Sequence, residues 1–189
     1  MFNKRDLVAS ALEFGDMPKD GKTEFAFMGR SNAGKSSLLN RLVGRKIMNV
    51  SGTPGRTQRI NFYAMANWYM VDLPGYGYAK VSEERKKIFG QATEHYLVSR
   101  QSLVGGVLVQ DLRRDPQEEE AQLIRWAADR NLYLIVVGTK LDRLNRTEQR
   151  QRKERLNELY KRDVILVSNR TGEGMDEVRR AIKAIGLEI

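Results

Sequence analysis

The chain has no cysteine. Disulfides and thiolate metal sites are excluded, and an intracellular, cytoplasmic location is the simpler expectation. It has one histidine, His95, with no motif around it, so a packed or surface role is expected. No apolar run approaches the roughly 20 residues of a membrane helix, so no span is expected. Met1 to Phe14 interleaves charges with apolar side chains and does not read as a secretory signal. No aromatic set suggests a face for single-stranded nucleic acid, and Trp68 and Trp126 read as packing residues. Acid is missing from one long stretch. Between Phe25 and Val71 there is no Asp or Glu, yet Arg30, Lys35, Arg41, Arg45, Lys46, Arg56 and Arg59 lie there.

What is present is charge of the other sign. The 189 residues carry a net charge of +9. That points to an anionic partner, nucleic acid first and membrane surface second. A second basic cluster runs from Lys140 to Arg162 and reads equally well as a solvated helix face. With no internal repeat or composition break, the chain reads as one domain.

One stretch has a specific chemistry. Gly29-Arg30-Ser31-Asn32-Ala33-Gly34-Lys35-Ser36 fits G-x-x-x-x-G-K-[ST], the phosphate-binding P-loop. An apolar run, 25–28, precedes it as a strand, and Leu38, Leu39 and Leu42 follow at helical spacing. Backbone N–H groups of such a loop point at phosphate oxygens, beside the positive end of a helix. Lys35 would reach the β- and γ-phosphates, and Ser36 would bind Mg²⁺.

Along the rest of the chain, apolar strands alternate with helices. Residues 60–65 and 68–72 read as a hairpin, Leu103 to Gln110 as a strand, and Leu132 to Val137 as another. Helices are expected from Ser82 to about Ser99, from Asp115 to about Arg130, from Thr147 to Tyr160 and from Gly174 to Ile185. Glu118-Glu119-Glu120 reads as helix N-terminal charge, not a metal site. This pattern gives a parallel sheet covered on both faces, with the hairpin adding an antiparallel edge strand.

The remaining motifs stand at carboxyl ends of strands, where ligands bind in such sheets. Asp72-Leu73-Pro74-Gly75 fits D-x-x-G, in which the Asp holds Mg²⁺ through water and the Gly N–H meets the γ-phosphate. Thr139-Lys140-Leu141-Asp142 is a T-K-x-D form of the guanine motif N-K-x-D. Its carboxylate accepts from N1–H and the 2-amino group of guanine, and adenine would leave it unpaired. Lys140 can lay its stem along the base. Val167-Ser168-Asn169 stands where such proteins usually carry S-A-x, and a backbone N–H there would reach guanine O6. In the polar loop 44–58, either Thr53 or Thr57 would complete the Mg²⁺ shell, and spacing does not choose between them. Tyr76 follows D-x-x-G where a water-orienting Gln often stands, so unaided hydrolysis should be slow.

Thr53-Pro54-Gly55-Arg56-Thr57-Gln58, Asp72-Leu-Pro-Gly-Tyr-Gly-Tyr-Ala79 and the T-K-x-D motif together resemble the EngB (YihA/YsxC) family of Era-like bacterial GTPases. Residues 1–22, with Leu7, Val8, Ala11, Leu12 and Phe14 ahead of Gly15, Pro18 and Gly21, read as a short packed N-terminal arm with some helix. The resemblance implies an α/β, three-layer Ras-like fold with six strands and a G domain over 23–189. It also implies slow Mg²⁺-dependent hydrolysis of GTP to GDP by a monomer. Lys35, Thr57 and Gly75 would be the catalytic residues, and Ser36, Thr57 and Asp72 the metal ligands. Gly55, Arg56 and Gln58 would join the nucleotide contacts. The implied partner is the large ribosomal subunit with its rRNA, in a role in its assembly, and the family is associated with cell division and septation. An Asn at position 32 helps bind K⁺ in related proteins, so K⁺ is a further expectation. Two other readings are a GTP-gated RNA-binding scaffold with negligible hydrolysis and an adenine-nucleotide P-loop enzyme. Asp142 argues against the latter.

Overall fold

The computed structural model describes residues 7–47, 59–77 and 83–189, the first eight of the last stretch by backbone alone. The described elements are β1 Leu7–Ala11, β2 Thr23–Gly29, α1 Lys35–Leu42, β3 Ile60–Ala64, β4 Trp68–Asp72, α2 Glu83–Ser99 and β5 Leu103–Asp111. Then come α3 Glu118–Asp129, β6 Tyr133–Thr139, α4 Arg146–Tyr160, β7 Val164–Leu166 and α5 Met175–Lys183.

The strands form one sheet in the order β1-β3-β4-β2-β5-β6-β7. β4, β2, β5, β6 and β7 run parallel, and β3 is antiparallel to both neighbours. Period-two alternation splits the core into two layers. Phe25, Phe27, Met70, Val107, Val109 and Val137 face one side, where Leu38, Leu39 and Leu42 of α1 and Val178 and Ile182 of α5 cover them. Ala26, Met28, Val71, Leu108 and Val136 face the other, with Tyr96 of α2 and Leu156 and Tyr160 of α4.

Two sequence expectations are corrected here. Among the described residues the sheet has seven strands, not six, and β3 is not its edge. The extra strand is β1, which the sequence reading treats as an arm with some helix. It pairs antiparallel with β3 through an irregular register between Leu7 and Ala9. Only Ala11 of β1 is fully buried, and Leu7 and Val8 are about half exposed. A strand with so little alternation leaves no period-two signature to read.

Helix starts follow local chemistry. Asn145 caps α4 by accepting from Glu148 N at 3.0 Å, while Glu148 accepts from Asn145 N at 2.7 Å. Gln117 and Glu120 make the matching box at α3, two residues beyond the expected Asp115 start. Met65, Trp68 and Met70 are core residues, and Trp68 Nε1 donates to Glu188 O at 2.8 Å. His95 stacks on Phe14 with ring centroids 4.7 Å apart. No helix among the described residues is long and apolar enough to cross a membrane.

Candidate nucleotide site

The carboxyl ends of β2, β4, β5 and β6 and the loop after β7 meet at one edge of the sheet. The P-loop leaves β2 there and turns into α1 through Gly34, whose φ of +96° lies in the left-handed region. Lys35 opens the helix with its side chain buried, and its Nζ forms an ion pair with Asp72 Oδ1 at the end of β4. Burial pushes the Asp72 carboxyl above its ordinary range, and the Lys35 ammonium pulls the other way. Asp72 Oδ1, Ser36 Oγ and a nucleotide phosphate would make a hard-oxygen donor set suited to Mg²⁺. No group of three or more His, Cys, Asp or Glu capable of holding a metal occurs among the described residues.

Beyond Asp72, the chain runs past the P-loop. Tyr76 N donates to Gly29 O at 3.3 Å, and Ser31 N to Tyr76 O at 2.9 Å. Gly77 has φ +78°, and a Cβ there would lie 2.8 Å from Arg30 Nη2, so the guanidinium occupies the side-chain space. Arg30 Nη1 in turn donates to Glu119 Oε2 of α3 at 3.2 Å. Tyr76 packs with the core layer under α3, its hydroxyl buried near Glu120. Burial and the Glu120 charge push that phenol well above its ordinary value. The Tyr76 ring is thus partly buried against the core layer.

The base-side motifs converge on the same loop. Lys140, at φ +66°, donates from Nζ to Asn32 O at 2.6 Å and to Asp111 Oδ2 at 2.9 Å. Asp142 Oδ1 accepts from Ser168 Oγ at 2.7 Å, and its Oδ2 lies 3.2 Å from Arg170 Nε. The Ser168 hydroxyl bond, with Arg170 and Arg143 nearby, holds the Asp142 carboxyl below its usual range, against a smaller opposing effect of burial. Thr139, fully buried, sets its hydroxyl against Ala33 O. Asn169 Nδ2 donates to Gly34 O at 2.9 Å. Leu141 N donates to Val167 O at 3.1 Å, which locks the two base-side loops together.

The structure thus brings together 29–36, 72–75, 139–142 and 167–169. The expected contacts Gly55, Arg56, Thr57 and Gln58, with Thr53, lie outside the described residues. Sequence reasoning assigned no role to Asp111. It ends β5, carries Lys140, and accepts from Arg113 Nη2 at 2.8 Å. Burial opposes its ionisation, yet Arg113 and Lys140 together hold the carboxyl well below the usual range. An acid closing a long apolar strand at the ligand edge was the signal available.

Comparison with known proteins identifies the family and the fold. Residues 24–170 match a family described as a 50S ribosome-binding GTPase. The chain is 43% identical over 178 residues to "Probable GTP-binding protein EngB" of Lacticaseibacillus casei, covering 91% of this chain and 90% of that one. The protein of the same name from Leuconostoc citreum is 40% identical over 189 residues, covering 96% and 97%. A crystal structure of a probable GTP-binding protein EngB superimposes with a TM-score of 0.69 at 20% identity, over 86% of this chain and 98% of that one. Era in complex with MgGDPNP and a part of 16S ribosomal RNA gives a TM-score of 0.68 at 20% identity, over 86% and 55%. The chain is a GTP-hydrolysing P-loop protein and belongs to the EngB family of GTP-binding proteins.

Proposed function

We propose that this GTPase is a slow, Mg²⁺-dependent switch that docks on the large ribosomal subunit during its assembly. The observation that carries the nucleotide part is the convergence of Lys140, Asp142 and Asn169 with Lys35 and Asp72 on one P-loop. The N–H groups of Gly34, Lys35 and Ser36 cradle phosphate oxygens, and Lys35 exchanges its Asp72 partner for the β- and γ-phosphates. Ser36, Asp72 and Thr57 hold Mg²⁺, which when bound neutralises charge on the phosphate oxygens. Gly75 N–H meets the γ-phosphate. Asp142 reads guanine N1–H and the 2-amino group, Lys140 covers the base, and Asn169 N–H meets O6.

Tyr76 carries no amide to orient a water, so hydrolysis waits for a group from the ribosome or for a K⁺ ion at Asn32. The ribosomal part is supported by the family's description and by the +9 charge. Action in the cytoplasm as a monomer, with consequences for division and septation, completes the reading. Co-sedimentation with ribosomal subunits tests it. Binding to the large subunit should be stronger with a non-hydrolysable GTP analogue than with GDP. Equal binding in both states, or preference for the small subunit, would overturn the switch.

A further inference from the structure

Three side chains from the base-side loops each meet a P-loop carbonyl, and the three carbonyls are consecutive. Lys140 meets Asn32 O, Thr139 meets Ala33 O and Asn169 meets Gly34 O. A trans peptide is planar, so its C=O and N–H point in opposite directions. Fixing the carbonyls of Asn32, Ala33 and Gly34 therefore fixes the N–H directions of Ala33, Gly34 and Lys35. The N–H groups of Gly34 and Lys35 belong to the phosphate cradle, whereas Ala33 N donates to Arg30 O at 3.1 Å.

Of the three anchors, Asn169 stands out. Thr139 Oγ1 also lies 3.1 Å from Gln110 O, and one hydroxyl proton serves one carbonyl at a time. Lys140 divides its ammonium between Asn32 O and Asp111. Asn169 Nδ2 donates to Gly34 O, which also accepts the helical bond from Leu38 N at 2.9 Å. Turning the amide over would set Oδ1 against the Gly34 carbonyl, so chemistry fixes its orientation. In that orientation Oδ1 is buried without a hydrogen-bond partner, a cost set against the Gly34 bond. The fit is close, since a Cβ on Gly34 would lie 2.9 Å from Asn169 Nδ2.

We propose that Asn169 is a positioning residue for the phosphate cradle, its side-chain amide orienting the Gly34–Lys35 peptide towards the β-phosphate. This goes beyond a backbone contact to the base, and it rests on the nucleotide-site reading given above. The amide missing at Thr139 is in effect supplied from the other base-side loop.

The test compares GDP with GMP, which keeps the base and lacks the β-phosphate. Dissociation constants are measured by competition against a fluorescent GDP analogue, for the wild type, Asn169→Ala and Asn169→Ser. Each variant should weaken GDP roughly five- to tenfold, the loss of about one hydrogen bond, and GMP by less than about twofold. An equal loss for GMP and GDP would make Asn169 a base contact and overturn the proposal. Unchanged GDP binding in both variants would do the same. Asp142→Asn, run alongside with GDP and XDP, separates the two readings. If its base preference is unchanged, the site assignment itself fails. If it shifts to XDP while the Asn169 variants lose GMP and GDP equally, only the positioning role fails.

Discussion

At Asp142, exchanging one oxygen for an amide nitrogen reverses what the side chain offers a base. Asp142→Asn replaces an acceptor with a donor, and binding should move from guanine to xanthine nucleotides. Competition with GTP and XTP reads this directly, and full retention of GTP affinity with XTP still excluded would remove Asp142 from the site. Its present partners already hold it ionised, because Ser168 donates to it and Arg170 stands nearby. Asn32 raises a separate question. It is exposed, in a left-handed conformation at φ +63°, with its carbonyl engaged by Lys140. Its side chain is exposed to solvent at the P-loop. GTP hydrolysis should be faster in K⁺ than in Na⁺ at equal ionic strength, and Asn32→Ala should abolish the difference. Equal rates in the two salts, with and without ribosomal particles, would leave an activating group from the ribosome as the account.

At the scale of elements, a buried charge joins the sheet to the helix that follows the D-x-x-G turn. Glu24, at the start of β2, is fully buried. It accepts from Tyr96 OH at 2.9 Å, from Arg100 Nε at 2.8 Å and from Ser102 Oγ at 3.0 Å. Arg100, just past α2, also donates to Pro18 O ahead of β2. Its side chain is only 11% exposed. Arg100→Met would leave the Glu24 carboxylate uncompensated and should lower stability by about 3 kcal/mol. Urea unfolding measures this, and a loss under about 1 kcal/mol would show that Tyr96 and Ser102 suffice to hold the charge. The same scale revises the basic cluster over 140–162. Arg152 donates from Nη1 to Asp115 at 2.7 Å and from Nη2 to Arg114 O at 2.6 Å. Lys153 lies 3.2 Å from Asp163. Part of the apparent patch therefore fastens α4 to the loop after β5. Arg143, Arg146, Arg150, Arg155 and Lys161 are the exposed cations of that stretch, and of these Arg143 lies 3.7 Å from Asp142 and Arg155 3.5 Å from Asp115.

The whole molecule carries a net charge of +9, which should make association with ribosomal RNA depend steeply on salt. If about five cations contact phosphates, affinity should fall roughly five-hundredfold between 50 and 200 mM salt through counterion release. Filter binding across that range gives the slope, and a flat dependence would rule out phosphate-directed binding. Replacing Arg146, Arg150 and Lys161 with Glu tests α4 without disturbing the ties made by Arg152. Unchanged affinity in that variant would move the RNA face elsewhere on the protein.

Sequence alone determined the order of strands and helices from 23 onward and the four motif positions. These are local properties. Period-two runs, helical spacing and capping residues act over a few neighbours, and each motif keeps its own spacing. The tertiary structure decided what depends on partners far apart in the chain. Asn169 meets Gly34 across 135 residues, and nothing near either one announces the pair. Tyr76 packs against the core layer with its hydroxyl near Glu120 of α3, an element far along the chain. The strand over Leu7–Ala11 depended on the open edge of β3, since a half-exposed strand has a pairing partner but little hydrophobic pattern of its own. Which arginines of α4 remain available to an outside anion was decided by the loop after β5, whose carbonyls and carboxylate pair with Arg152 only once β5 and α4 are packed together.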